Sequence, residues 1–207
     1  MLKKLEQYLS SHYLRFDNDQ ILFGKDRMVF YVTSHLAREF TYNRNLFGVS
    51  YCINMFLAGR DRGLEFVQKH GIPLKKMLTP VVQISCDLLN TFGFGVFRTI
   101  KVDSKEGFMV VVGKSAIAQE IKKNFNCSEE PVDFMLGGLF AGAAEYFMKE
   151  RRYAVETICA AQSEIQECVW VIGTQEQIIN YVKNISPERL DWTNKILDEV
   201  KSAENKR

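Results

Sequence analysis

Two pairs of strand-like runs, separated by one helix-like segment, constrain the fold of this 207-residue chain more than any other feature. The first pair, 96–102 and 107–113, is β-branched and aromatic and is joined by the turn segment DSKE. The second pair, about 153–161 and 167–174, has the same character. Two hairpins side by side predict a four-stranded antiparallel sheet. The pattern therefore indicates an α+β fold and not a doubly wound nucleotide-binding fold.

Helix-like segments fill most of the remaining chain. Apolar residues recur there at helical spacing, and proline or glycine marks several of the ends. Thr79 is expected to cap one helix, with Pro80 at its first position. The stretch 15–27 is expected to be a turn or extended segment. The predicted helices cover 1–14, 27–42, 44–70, the segment that begins at Thr79, 115–124, 129–151, 175–184 and 187–204.

Composition narrows the class of protein. Hydrophobic residues make up 46% and charged residues 25%, as in globular proteins. The net charge is only +2, and basic and acidic residues are mixed along the chain, which disfavours a nucleic-acid partner. No secretory signal is visible, and no window reaches the ~18 apolar residues that span a membrane. We expect one cytoplasmic domain over 1–207, made of a packing or dimerisation region (1–40), a core (40–174) and closing helices (175–207).

The second hairpin carries the most distinctive chemistry of the sequence. Cys159 and Cys168 are symmetric about Ser163-Glu164, so a turn centred there places them opposite each other at a spacing that suits a shared metal ion or a strained disulfide. Glu156 lies on the other face under strict alternation and joins them only if a bulge turns it. The alternative is two buried cysteines that pack as small apolar residues, with a solvated glutamate.

These motifs, in this order and spacing, resemble the 4-vinyl-reductase domain family. The resemblance covers roughly residues 40–174 and rests on PVDFMLGGLFAG, VETICAAQSEIQECVWVIG, LLNTFGFGVFRTIKV and FLAGRDRGLEFV. It implies a fold like that of the TRAPP transport-complex subunits, a homodimer, and the binding of small hydrophobic molecules. The turn is one residue longer than is usual in the family, and Ser163-Glu164 stands where the family has Gly-Asp.

The same resemblance implies a zinc site. In phenol-sensing bacterial activators the domain holds a structural zinc near the effector pocket, and the matching motif makes Glu156, Cys159 and Cys168 the ligands here. The family's fourth position, a cysteine at the start of a helix, falls on Asp133, which remains a competent zinc ligand. Cys127, six residues earlier, is the alternative fourth ligand.

A small apolar ligand is the leading functional prediction. The chain has 15 Phe and 8 Tyr, which could line a pocket of ligand size or fill an ordinary core. A ligand would bias a dimer or the surface for a separate signalling protein. The candidate pocket residues are Phe47, Tyr51, Phe56, Phe92, Phe134 and Phe140.

Two other functions remain open. The family is named for the reduction of a vinyl group on a tetrapyrrole, so the chain could be such an enzyme or a tetrapyrrole carrier, although no nicotinamide or flavin fingerprint is present. It could instead be a dimeric scaffold. In that case the small-residue face Gly138–Ala141–Gly142–Glu145 and the N-terminal helix form the dimer seam; the alternative for that face is packing on the protein's own sheet.

Overall fold

The N-terminal region contains a small sheet of its own. The computed structural model of the chain describes residues 14–17, 20–23, 26–28, 32–69, 78–91, 93–125, 128, 130–162, 164 and 166–206. Three short antiparallel strands pair in chain order: β1 (Leu14–Asp17), β2 (Gln20–Phe23) and β3 (Asp26–Met28). Within the segment 15–27, predicted to be a turn or extended, every residue that the structure describes lies in a strand. Of the first helix, predicted over 1–14, residues 1–13 lie outside the described residues, and Leu14 lies in β1 and not in a helix.

Three helices follow, with boundaries that differ from the prediction. They are α1 (Thr33–Phe47), α2 (Val49–Lys69) and α3 (Leu78–Thr91). The first begins at Thr33, not at 27, because β3 occupies 26–28. Gly48 separates α1 from α2 with a φ of 61°, a backbone angle that favours glycine. The prediction of Thr79 as an N-cap is wrong, since α3 already includes Leu78 and Thr79 lies in its first turn.

The predicted four-stranded antiparallel sheet is confirmed. Its strands are β4 (Gly95–Asp103), β5 (Phe108–Ser115), β6 (Tyr153–Ile158) and β7 (Cys168–Gly173), in the order β4-β5-β7-β6. The two hairpins meet where β5 pairs with β7, from Met109 opposite Ile172 to Gly113 opposite Cys168. Side-by-side pairing of the hairpins makes β5 and β7 the central strands.

The remaining helices start at side-chain caps or follow a short turn. Ser115 caps α4 (Ala116–Asn124), Asp133 caps α5 (Phe134–Met148), and Thr174 with Gln177 forms a capping box on α6 (Gln175–Ile185). A 3-10 turn, Pro187–Arg189, leads into the closing helix α7 (Leu190–Glu204).

Helices cover both faces of the central strands. Met109 and Val111 of β5 belong to a large apolar cluster shared with α2 and α5, whereas Val110 and Val112 belong to a second cluster shared with α6 and α7. Both faces of β5 are therefore buried, which explains why its sequence is a continuous apolar run with no polar alternation.

Helices α2 and α5 touch through glycines. Gly138 of α5 faces the backbone of Phe56 and Arg60, and Gly63 of α2 faces the backbone of Leu139. A Cβ at Gly138 would lie 2.8 Å from the backbone nitrogen of Arg60, closer than real Cβ atoms approach. The close contact fixes the spacing of these two helices. The packing predicted for the Gly138–Gly142 face is therefore corrected: it lies against α2 of the same chain, neither free for a dimer seam nor directed at the sheet.

An ion pair ties the closing helix to α2. The guanidinium of Arg60 contacts the carboxylate of Glu204, and both side chains are largely buried. Burial and the neighbouring Arg151 lower the pKa of Arg60. Arg151 also lies 3.8 Å from Glu204 and 3.4 Å from Glu145. The group of four charges holds the C-terminal end of α7 against the core.

Loss of this ion pair should be measurable. Glu204→Gln is expected to lower the free energy of unfolding by about 2 kcal/mol, because Arg60 loses its direct partner in a buried setting while Glu145 remains nearby. Urea unfolding measures the change, with Glu199→Gln as the exposed control on the same helix. Equal unfolding midpoints for the two variants would show that the pair contributes nothing.

None of the helices in the part of the chain that the structure describes is long and apolar enough to cross a membrane.

Candidate metal and ligand site

A bulge in strand β6 turns the glutamate toward the cysteines. Glu156 pairs with Trp170 and Ile158 pairs with Val169, so β6 has one extra residue, Thr157, between these two pairs. The bulge places the side chain of Glu156 on the side of the sheet from which Cys159 is reached. Glu156 was expected to join the cysteines only if a bulge turned it, and the bulge lies directly after Glu156.

Three potential metal ligands converge at the end of this hairpin. One carboxylate oxygen of Glu156 and the sulfurs of Cys159 and Cys168 all lie within 4.8 Å of one another, and all three residues are buried. Sulfur ligands bind zinc at about 2.3 Å and carboxylate oxygens at about 2.0–2.2 Å. A single ion could thus reach all three with only small adjustments of the side chains.

The two oxygens of Glu156 have different surroundings. Oε2 accepts hydrogen bonds from the backbone N–H groups of Val132 and Asp133, at 3.0 and 2.9 Å. Oε1 is buried and accepts no hydrogen bond of standard geometry, although the thiols of Cys159 and Cys168 are close enough to shift the pKa of the carboxyl. A buried carboxylate oxygen without a partner is costly, so this atom fits the role of a metal ligand.

Backbone N–H groups point at both sulfurs. Ala160 donates to the sulfur of Cys168 at 3.2 Å, and Ala161 donates to the sulfur of Cys159 at 3.4 Å. Such bonds favour negative charge on sulfur, and the thiolate is the form of cysteine that binds metal.

The three groups strongly perturb one another's pKa values. Burial, and then negative charge at Cys159, raises the pKa of Glu156 well above its ordinary value. A hydrogen bond between the thiols lowers the pKa of Cys159 and raises that of Cys168, and burial adds to the latter effect. Without a cation the three groups must therefore share protons. A divalent ion would replace those protons and allow all three to ionise.

Asp133, the expected fourth ligand, lies outside this group of three. Its carboxylate accepts a hydrogen bond from the Leu136 backbone N–H at 3.4 Å, as the N-cap of α5, and a second bond from the Ser115 hydroxyl. Burial and the nearby Glu156 raise the pKa of Asp133 to about 7, despite these bonds. Two existing bonds and its absence from the cluster make Asp133 a helix cap in this structure.

The alternative ligand, Cys127, lies outside the described residues. Its neighbour Ser128 donates a backbone hydrogen bond to Ala161 at 2.9 Å. Ala161 is two residues after Cys159, so the chain at Ser128 runs beside the turn that holds the cluster.

The predicted pocket residues do not gather around one space. Phe140 forms an edge-to-face cluster with Phe97 and Trp170, with ring centroids 5.7–6.1 Å apart. Tyr51 packs edge-on against Phe40. Phe47 is 62% exposed, so it does not line an interior pocket in this structure. Phe92 lies outside the described residues.

Two of the predicted residues, Phe56 and Phe134, do line a small cavity beside β6. Its volume is about 10 Å³, roughly the space that one water molecule needs. Glu156 and Asp133 also line the cavity. The sequence reasoning missed five further wall residues, Gly137, Ala154, Val155, Trp192 and Ile196. The helical spacing of Trp192 and Ile196 indicates that one face of α7 is buried. It does not indicate that this face meets β6, because β6 is distant in the sequence.

Comparison with known proteins identifies the fold. No protein-family model matches the sequence, and no curated protein matches it. The phenol-responsive sensory domain of the transcription activator PoxR, determined with phenol, is similar in structure, with a TM-score of 0.70 and 17% identity over 86% of this chain and 92% of that chain. Trafficking protein particle complex subunit 3 from Naegleria fowleri, covalently bound to palmitic acid, has a TM-score of 0.49 and 12% identity over 68% and 93%.

The likeness to the PoxR domain supports the α+β fold and, at 17% identity, nothing beyond the fold. Membership of the 4-vinyl-reductase family stays a prediction.

Two other buried cysteines are expected to be chemically inert. Burial raises the pKa of Cys52 to about 11 and that of Cys86 to about 12, from an ordinary value of 9.0. Since the thiolate is the reactive form, iodoacetamide at pH 7.5 should label both far more slowly in the folded protein than in urea. Peptide mass spectrometry measures each site separately. Equal labelling rates in the two conditions would contradict the burial of these thiols.

Proposed function

We propose that this chain is a regulatory module that binds a small apolar molecule in a pocket braced by a zinc ion. The observation that carries the proposal is the double position of Glu156. Its carboxylate belongs to the three-ligand cluster with Cys159 and Cys168, and the same residue lines the cavity beside β6. A metal ion on Glu156 would thus fix one wall of the pocket.

The residues present fit zinc. Two thiolates and a carboxylate match the ligand types that zinc prefers, and the unpartnered Oε1 of Glu156 supplies the oxygen. A bound zinc ion would neutralise the buried charge and cross-link the end of the β6–β7 hairpin to itself. Through Oε2, Glu156 also holds the backbone N–H groups of Val132 and Asp133, so the metal site would stabilise the start of α5.

The apolar ligand is supported by two observations. The cavity is lined mainly by aromatic and aliphatic side chains from α2, α5, β6 and α7, which is the composition of small-molecule sites. The PoxR sensory domain, which shares the fold, was determined with phenol. The cavity of about 10 Å³ is too small for any such molecule, so ligand entry would require one wall to move.

Native mass spectrometry combined with thermal unfolding tests the ligand part of the proposal. The purified protein would be incubated with toluene, phenol, octane and protoporphyrin in separate samples. We expect one class of these probes to raise the melting temperature and to add its mass to the chain. No rise and no added mass with any probe would contradict the proposal.

The fourth metal ligand can be identified by two substitutions. Asp133→Asn keeps the helix cap and removes a negative ligand, whereas Cys127→Ser removes a thiolate. The variant that lowers zinc affinity identifies the ligand, measured by competition with a chromogenic chelator. The family resemblance assigns this role to Asp133, and the position of Ser128 beside Ala161 favours Cys127.

A homodimer and a separate signalling protein complete the proposal, because a ligand can signal only by shifting contacts with something else. Light scattering of the purified chain at several concentrations tests the dimer. If the chain is a monomer at all concentrations, the homodimer is ruled out and the signal must pass through a separate protein.

A further inference from the structure

We infer that Trp192 is the residue that closes the pocket and sets which ligands can enter it. This inference rests on the proposed function and assigns a specificity-determining role that the cavity alone does not reveal. Trp192 lines the small cavity, so displacement of its indole ring would open space for an aromatic ligand.

Three of the four walls of the cavity are fixed. Phe56 is on α2 and Gly137 is on α5, and these two helices are in glycine-mediated backbone contact. Ala154 and Val155 are on β6, where they pair with Ile172 and Val171 of the central strand β7. Parting any of these walls would break backbone contacts or sheet hydrogen bonds.

The fourth wall is the N-terminal half of α7, which contributes Trp192 and the buried Ile196. Trp192 lies in its first turn, is only partly buried, and meets the ring of Phe134 at 6.2 Å between centroids. Arg189, the N-cap of α7, makes no side-chain capping bond. The other end of the helix is held by the ion pair of Arg60 with Glu204. Motion at this wall is therefore easiest at Trp192.

The size of the ring indicates the class of ligand. A molecule that takes the place of the Trp192 ring must be neutral, mainly apolar and no larger than a bicyclic aromatic. Removal of a tryptophan ring leaves a space of the same order as the ~150 Å³ apolar cavity that binds benzene in an engineered core. A monocyclic aromatic such as toluene is the matching probe.

Toluene binding by Trp192 variants tests the inference. We expect Trp192→Ala to bind toluene at least tenfold more tightly than the wild type, because its pocket is open without displacement of a ring. Trp192→Leu, which retains more apolar volume and serves if the alanine variant does not fold, should lie between them. The control is Phe147→Ala, which removes a partly buried aromatic packed on the same core but away from the cavity. Titration calorimetry gives each Kd.

A second readout follows the ring itself. The chain has 2 tryptophans, so labelling with 5-fluorotryptophan gives two fluorine signals, and Trp192→Phe assigns them. Toluene should increase the solvent isotope shift of the Trp192 signal as the ring moves into water, while that of the fully buried Trp170 stays constant.

The outcomes separate this inference from the proposed function. Equal toluene affinity in the wild type and both Trp192 variants overturns the role of Trp192 but leaves a ligand-binding module. A folded Trp192→Ala that binds no toluene overturns the inference and also counts against the pocket. A tenfold gain in Trp192→Ala, absent from Phe147→Ala, supports it.

Discussion

Gly138→Ala is expected to destabilise the protein by at least about 3 kcal/mol, whereas Gly137→Ala, one residue earlier, should be neutral or slightly stabilising. A Cβ at Gly138 would lie closer than 3.0 Å to backbone atoms of Phe56 and Arg60, which cannot move aside as a flexible side chain could. At Gly137 the nearest atom, Cδ1 of Trp170, would be 3.7 Å away, an ordinary contact. The added methyl group would enter the small cavity that Gly137 lines.

The comparison is sharp because both substitutions have the same intrinsic effect on helix propensity. Gly142→Ala provides a second test, since its Cβ would lie 2.8 Å from the backbone nitrogen of Leu64. Urea unfolding of the four proteins gives the free energies. If Gly138→Ala and Gly142→Ala match the wild type, the close contact between α2 and α5 does not exist in solution.

Cys168→Ser is expected to abolish zinc binding and to lower the melting temperature by about 10 °C or more. A structural zinc contributes many kcal/mol to folding, and each kcal/mol shifts the midpoint by about 2–4 °C in a chain of this size. Serine keeps the size of the residue but is a poor zinc ligand. Cys168 is fully buried and its sulfur accepts a hydrogen bond from the backbone N–H of Ala160, so the substitution also disturbs this contact.

The control for this prediction is Cys52→Ser, which also places a hydroxyl at a buried cysteine but outside the cluster. Cys52→Ser should lower the melting temperature modestly. Addition of a chelator should lower the melting temperature of this variant further, as it does for the wild type. Cys168→Ser should show no response to the chelator. A chelator response that survives in Cys168→Ser would place the metal elsewhere.

The hairpins and their helices could be predicted from the sequence because the signals are local. Alternating or continuous apolar runs between turn residues define β4 to β7, but which strand of each hairpin meets the other, here β5 with β7, depends on long-range packing that these runs do not contain. The helix boundary at Thr33 could not be predicted, since the short strand at 26–28 depends on pairing with β2.

The site was only partly predictable for the same reason. The spacing of Cys159 and Cys168 placed them opposite each other, but the bulge beside Glu156 depends on contacts that a period-two pattern does not contain. Asp133 precedes an apolar helix, which is the ordinary position of an N-cap, and this local role competes with metal binding. The glycines of α5 indicated a close approach, but their partner on α2 lies some 80 residues earlier.

The zinc content of the purified protein tests the central claim most directly. The protein would be prepared without chelator and measured by inductively coupled plasma mass spectrometry against its concentration. The arrangement of Glu156, Cys159 and Cys168 predicts about one zinc ion per chain. A folded protein that contains no metal, and takes up none when zinc is added, would contradict it.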